Sequence, residues 1–240
     1  MNEIERIELL EAQIRELKQK IISYSFSEIK LRDLKELVDI RQNIKERDKF
    51  DSWFNNSIVI NQDIEEFLIK LVEENIDLIS SYTEEDLKMY VLSPLLNHIN
   101  FKLLDINLRG FYDEVITYKS DNFIFTGKTD FLFAKGFKIS QKPYFFIQEF
   151  KKGIKGSNPE PQLLAELISA VELNRETAIK GAYIVGENWN FVILEKLGEN
   201  KYQYFISRTF NSTNIEDFKM IYTNLLFIKN EVIEIVKNEM

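Results

Sequence analysis

Cysteine is missing altogether from the 240 residues, and histidine occurs once, as His98. Without cysteine there can be no disulfide and no thiolate-held metal, and a reducing, cytoplasmic setting is the expectation. A single histidine leaves too few ligands for a usual zinc site and little scope for a nucleophile–histidine pair. It sits in Leu95-Leu96-Asn97-His98-Ile99, near the end of a predicted helix, and reads as a packing or capping residue. Glycine and proline are missing from the front of the chain. All eight glycines and all four prolines lie at or beyond Pro94, so the region before it is free of both helix breakers. No apolar run approaches the roughly 18 residues of a membrane span, and the chain opens on alternating charges, so neither a membrane partner nor a signal peptide is expected. The net charge of -8 argues against broad electrostatic binding to nucleic acid. A local exception is residues 150–159, where Lys151, Lys152 and Lys155 meet no acid.

What is present begins with a core: hydrophobic residues make up 45% of the chain. Ile7, Leu10, Ile14, Leu17 and Ile21 step by threes and fours, a short heptad seam. A second helix is expected after Ser27 as N-cap, burying Leu31, Leu34, Val38 and Ile44. Residues 1–50 carry eleven basic and eleven acidic side chains, so their faces are solvated and near neutral. Residues 1–60 are therefore expected to be a helical extension. It either packs on itself or on the rest of the chain, or pairs two copies as a coiled coil.

Residues 62–79 read as another amphipathic helix. Thr83 then caps a helix running to about Ile99, with Glu84 and Glu85 in a first turn where the dipole favours acids. Leu87, Val91 and Leu95 mark its core face. Glu84 falls near the middle of that face and Glu85 toward its edge, either as capping groups or as a site acid. Beyond residue 110 the pattern changes to strands at Glu114–Tyr118, Phe123–Ala134 and Tyr144–Phe150. Asn158-Pro159-Glu160-Pro161 starts a helix from Gln162 to about Asn174. Strands follow at Ala182–Gly186, Phe191–Glu195 and Tyr202–Ser207, with a last helix from Ile215 to about Val236. Trp53 and Trp189 read as packing residues.

The chemistry concentrates on two of these strands. Gly127-Lys128-Thr129-Asp130-Phe131-Leu132-Phe133 puts an acid in an apolar strand, and the next strand ends on Glu149-Phe150-Lys151. Buried unpaired charge is costly, so such a set invites a shared role. Magnesium prefers oxygen ligands, commonly one or two carboxylates with waters and phosphate. It offsets charge in phosphodiester cleavage and acidifies a bound water. Asp130 and Glu149 could supply the carboxylates and the Phe150 carbonyl a third oxygen. Lys151 lies two residues beyond Glu149, on the same strand face, and could orient the water or stabilise developing charge. Lys152 points the other way if the strand continues. The bland alternative is a turn-side aspartate and an ordinary surface Glu–Lys pair.

This order of residues resembles the PD-(D/E)XK nuclease superfamily, the restriction-endonuclease-like fold. The likeness runs over about residues 80 to 210. It comprises Asp130, then Glu149-Phe150-Lys151, then the helix Gln162-Leu163-Leu164-Ala165-Glu166-Leu167. Glu84-Glu85-Asp86-Leu87 leading to Ser93-Pro94-Leu95-Leu96 is similar to a first helix in which a glutamate joins the metal site. Gln162 stands where some members place a glutamine. Gly181-Ala182-Tyr183-Ile184-Val185-Gly186 with Trp189-Asn190-Phe191-Val192 looks like the strand pair of small bacterial members. The usual Pro-Asp is replaced by Thr129-Asp130. The resemblance implies an α/β fold with an αβββαβ core around a mixed sheet, over residues 61–240. It also implies magnesium-dependent cleavage of nucleic acid, with DNA as the expected substrate and manganese as a substitute metal. Asp130, Glu149 and Phe150 would hold the metal. Lys151, Glu84 or Glu85, and Gln162 would complete the site, and Lys152 and Lys155 would meet phosphates. A catalytically silent module that binds a protein or nucleic acid is the alternative, and a homodimer through the first helices is a further expectation.

Overall fold

Runs of β-branched and aromatic residues beyond Leu108 build long strands, and the glycine-free and proline-free stretch before Pro94 builds most of the helices that cover them. A computed structural model describes Ile4, Arg6, Ile7, Leu10, residues 21–150 and residues 158–239; for Arg47 and residues 148–150 it describes the backbone. Of the heptad seam, Ile7 and Leu10 are helical and exposed, whereas Ile14 and Leu17 lie outside the described residues.

The strands are β1 (Ile22–Ser25), β2 (Asp39–Gln42), β3 (Lys102–Leu103), β4 (Leu108–Lys119), β5 (Phe123–Lys135), β6 (Lys142–Phe150), β7 (Ala178–Val185), β8 (Asn188–Gly198), β9 (Lys201–Ile206) and β10 (Phe210–Asn211). They form one ten-stranded mixed sheet in the order β2-β9-β8-β7-β6-β5-β4-β3, with β1 on β5 and β10 on β8. β4, β5 and β6 are an antiparallel meander, and β6 and β7 run parallel. The helices are α1 (Leu31–Leu37), α2 (Asp51–Phe54), α3 (Gln62–Asn75), a compound helix α4, α5 (Glu160–Asn174) and α6 (Ile215–Asn238). α4 joins Glu84–Leu87, a π segment Lys88–Leu92, and Ser93–Ile99. The crossover from β6 to β7 passes through α5, as a parallel pair requires. From α4 onward the principal elements therefore run helix, three strands, helix, strand.

Two layers of helices cover the sheet. Trp53, Leu68, Leu95 and Leu225, from α2, α3, α4 and α6, pack on Phe131, Phe145, Ile184 and Phe191. Leu34 from α1 and Leu163 and Leu167 from α5 pack on the other face, against Phe125, Leu132, Phe146 and Val192. α5 is almost wholly buried from Pro161 to Val171, which explains its near-continuous apolar sequence. His98 stacks on Phe67, with ring centroids 3.9 Å apart, and its Nδ1 lies 2.9 Å from the Tyr222 hydroxyl. Trp53 and Trp189 are both core residues, and the Trp53 indole donates to the Asn224 carbonyl.

The helical reading of residues 1–60 needs correction. β1 pairs parallel with β5 and β2 parallel with β9, so residues 22–25 and 39–42 belong to the sheet. β6 covers β5 only from Phe131 to Lys135, which leaves the stretch Phe123–Thr126 open on that edge, and β1 fills it. An open edge of unpaired backbone groups is a ready template for a further strand. Ser27 is not the N-cap of α1, a place held by Lys30, and Ile44 is exposed rather than buried.

Face alternation also breaks within the meander. Phe123 and Phe125 face the α1–α5 layer, yet Phe131 and Phe133 face the opposite one. In a regular strand all four odd positions would share a face. The same reversal occurs in β4, where Phe111 and Ile116 lie five apart but face one layer. Both reversals fall at one step of the ladder, between the pairs Tyr112↔Phe131 and Glu114↔Thr129. The residues at that step are Asp113, with φ of 53°, and Asp130. Aspartate tolerates the left-handed region better than most side chains.

Candidate functional site

The site builds from the first turn of α4. The Thr83 hydroxyl accepts from the Asp86 amide, while an Asp86 carboxylate oxygen accepts from the Thr83 amide at 3.0 Å, a reciprocal cap that fixes where the helix starts. Glu84 and Lys88 then lie four residues apart on one face. The helix widens from Lys88 onward, with the Ser93 amide donating to the Lys88 carbonyl. Pro94 gives a physical reason for the irregularity, because it has no N–H to offer the Tyr90 carbonyl. The Asn75 amide approaches that carbonyl at 3.5 Å instead. π segments of this kind recur at functional sites.

Lys88 is where helix and sheet meet. Its ammonium donates to Asp130 Oδ1 at 2.9 Å and to Glu84 Oε1 at 3.2 Å. The Asp130 carboxylate is only 15% exposed and that of Glu84 37%. Glu84 therefore turns toward Asp130, whereas Glu85 is exposed. Asp130 owes its position to the step where β4 and β5 exchange faces.

α5 brings the second group. Gln162 is buried in the first turn, and its side-chain amide donates to Glu166 Oε1 at 3.3 Å. Glu166 has no solvent exposure, and its Oε2 finds no hydrogen-bond partner among the described residues. Burial pushes the Glu166 carboxyl well above the ordinary glutamate range; the Gln162 amide opposes that shift and the nearby charge of Asp130 adds to it. Asp130 thus faces Lys88 and Glu84 from α4 and lies within electrostatic reach of Glu166 on α5. At the mouth of the same helix, Glu160 accepts from the Tyr204 hydroxyl at 2.8 Å. Burial, then the Glu160 charge, lifts Tyr183 to about 12.

The other sequence-derived candidates lie at the end of β6. The backbones of Glu149 and Phe150 are in that strand, opposite Ile184 and Val185 of β7. Lys151, Lys152 and Lys155 lie outside the described residues. Among the described residues no three acidic or histidine side chains converge on a cation position. Two residues at the site were not singled out from the sequence. Lys88 carried a signal, its four-residue spacing from Glu84, but that spacing is common on solvated helices. Glu166 carried a clearer one, a lone acid in the otherwise apolar run of α5. No helix among the described residues is long and apolar enough to cross a membrane. The chain matches no known family model and no curated protein.

Proposed function

We propose that the protein is a magnesium-dependent phosphodiesterase of the PD-(D/E)XK type acting on nucleic acid, most simply DNA. The observation that carries the reading is the setting of Asp130. It is a scarcely exposed carboxylate on a central strand, tied through Lys88 to Glu84, one of the two glutamates that the resemblance offers, and within electrostatic reach of Glu166. The succession helix, three strands, helix, strand over residues 84–185 supports a restriction-endonuclease-like core.

The donor chemistry fits a hard divalent cation, since Asp130 offers a scarcely exposed carboxylate, Glu149 is a second carboxylate residue and Phe150 brings a backbone carbonyl at the end of β6. In this reading Asp130, Glu149 and the Phe150 carbonyl hold the metal, which would offset phosphate charge and acidify a water. Lys151 orients that water and stabilises the charge that develops on phosphorus-bound oxygen. Gln162 fixes the first turn of α5 against Glu166, and Glu84 shares the positive charge beside Asp130. Lys152 and Lys155 contact the polynucleotide backbone, from a stretch in which three lysines meet no acid.

One observation favours a second reading, a catalytically silent module that binds a protein or nucleic acid: the Lys88 ammonium already neutralises Asp130. Cleavage assays separate the two. Purified protein should cut plasmid or single-stranded DNA with magnesium or manganese, and Lys151→Ala should remove cleavage while circular dichroism stays unchanged. Protein that is inert on every substrate, and gives no heat with either metal, would establish the silent module.

A further inference from the structure

The helix that carries Glu84 also delivers a cation to Asp130, and the proposed reaction makes no use of it. Lys88 Nζ sits 2.9 Å from Asp130 Oδ1 and 3.2 Å from Glu84 Oε1, with its side chain 26% exposed. We infer that Lys88 is a positioning residue that stands in for the divalent cation: it holds Glu84 and Asp130 together in the metal-free protein and gives up Asp130 when a metal binds. The inference rests on the metal-site reading above.

Three features support it. First, the contact is a charge-assisted hydrogen bond to one of the oxygens a metal would need. A magnesium ion at about 2.1 Å from that oxygen would lie within roughly 5 Å of the ammonium, where like charges repel strongly at low dielectric. Second, lysine is built to leave. Its four-carbon stem lets the ammonium swing away while the helix stays in place, as the forked guanidinium of arginine does less readily. Third, the carboxylates need a counter-charge when no metal is present. Asp130 is scarcely exposed, so water is a poor substitute for that counter-charge. Lys88 supplies such a charge to both Asp130 and Glu84.

Manganese binding by isothermal titration calorimetry, on the full chain at fixed ionic strength, tests the inference without reference to turnover. The comparison is wild type, Lys88→Met, Lys88→Gln and Asp130→Asn, each with its thermal unfolding recorded. Removing the competing charge should tighten manganese binding about tenfold or more in whichever Lys88 variant is folded, while Asp130→Asn loses binding. Unchanged or weaker affinity in the folded Lys88 variants would overturn the inference and leave the metal site standing. No binding by any form would overturn the metal site and the inference together. A second measurement uses the wild type alone. The Lys88 ammonium resonance should shift as magnesium is added; a resonance that stays put while other site signals move would also overturn it.

Discussion

A carboxyl sealed from solvent holds its proton unless a cation joins it, and Glu166 is such a group. Burial raises its pKa above that of an unfolded glutamate. The folded state therefore keeps a proton that the unfolded state releases above about pH 4.3. Stability on this account is full below that value and falls as pH rises toward the raised pKa of the folded protein. Glu166→Gln removes the titration but keeps the shape. Its urea-unfolding free energy should gain on the wild type steadily from about pH 4.3 upward; parallel curves would contradict the assignment. At this scale the sequence was partly legible. Asp130 and Glu84 stand out because a carboxylate in an apolar strand or on the core face of a helix needs a partner, whereas Gln162 was offered only by the resemblance. Lys88 does not stand out, since its significance depends on Asp130, which lies 42 residues away. Only the fold brings the two together.

Among the elements, the reversal of faces at Asp113 and Asp130 does most to shape the site. A residue with φ of 53° inside a strand is costly for a β-branched side chain and easy for glycine. Asp113→Val should lose about 1–2 kcal/mol of unfolding free energy, whereas Asp113→Gly stays close to the wild type. Equal stabilities for both would mean that the left-handed turn does not hold the kink. Strand alternation alone could not reveal this step, because a reversal leaves each half of the strand well patterned. The strands from β4 to β9 were legible from their β-branched and aromatic runs between polar turns, α3, α4 and α6 from their helical periodicity, and α5 from the prolines that open it. β1 and β2 were not. Each is four residues long, set among the charged, helix-favouring residues of 1–50, and each owes its conformation to an open edge of β5 or β9. Tertiary pairing overrides local propensity in such cases.

Across the whole molecule, residues 22–54 supply part of both helical layers. Phe26, Leu34, Ile40 and Trp53 are all buried. Each is worth about 1.5–3 kcal/mol of burial, so losing the four forfeits an amount comparable to the entire stability of a typical domain. A chain beginning at Ser57 should fail to fold. Folded, cooperative behaviour of the shorter chain would show that the sheet stands without β1 and β2. The same architecture frames the functional claim, because β5, α4 and α5 converge on Asp130 from three elements of one sheet-and-helix body. The most direct test is a side-by-side time course of plasmid and single-stranded DNA cleavage by wild type and Asp130→Asn, with magnesium and with chelator. The account predicts cleavage by the wild type in magnesium alone, and none by a folded Asp130→Asn. Equal cleavage by both proteins, or none by the wild type under any condition, would contradict it.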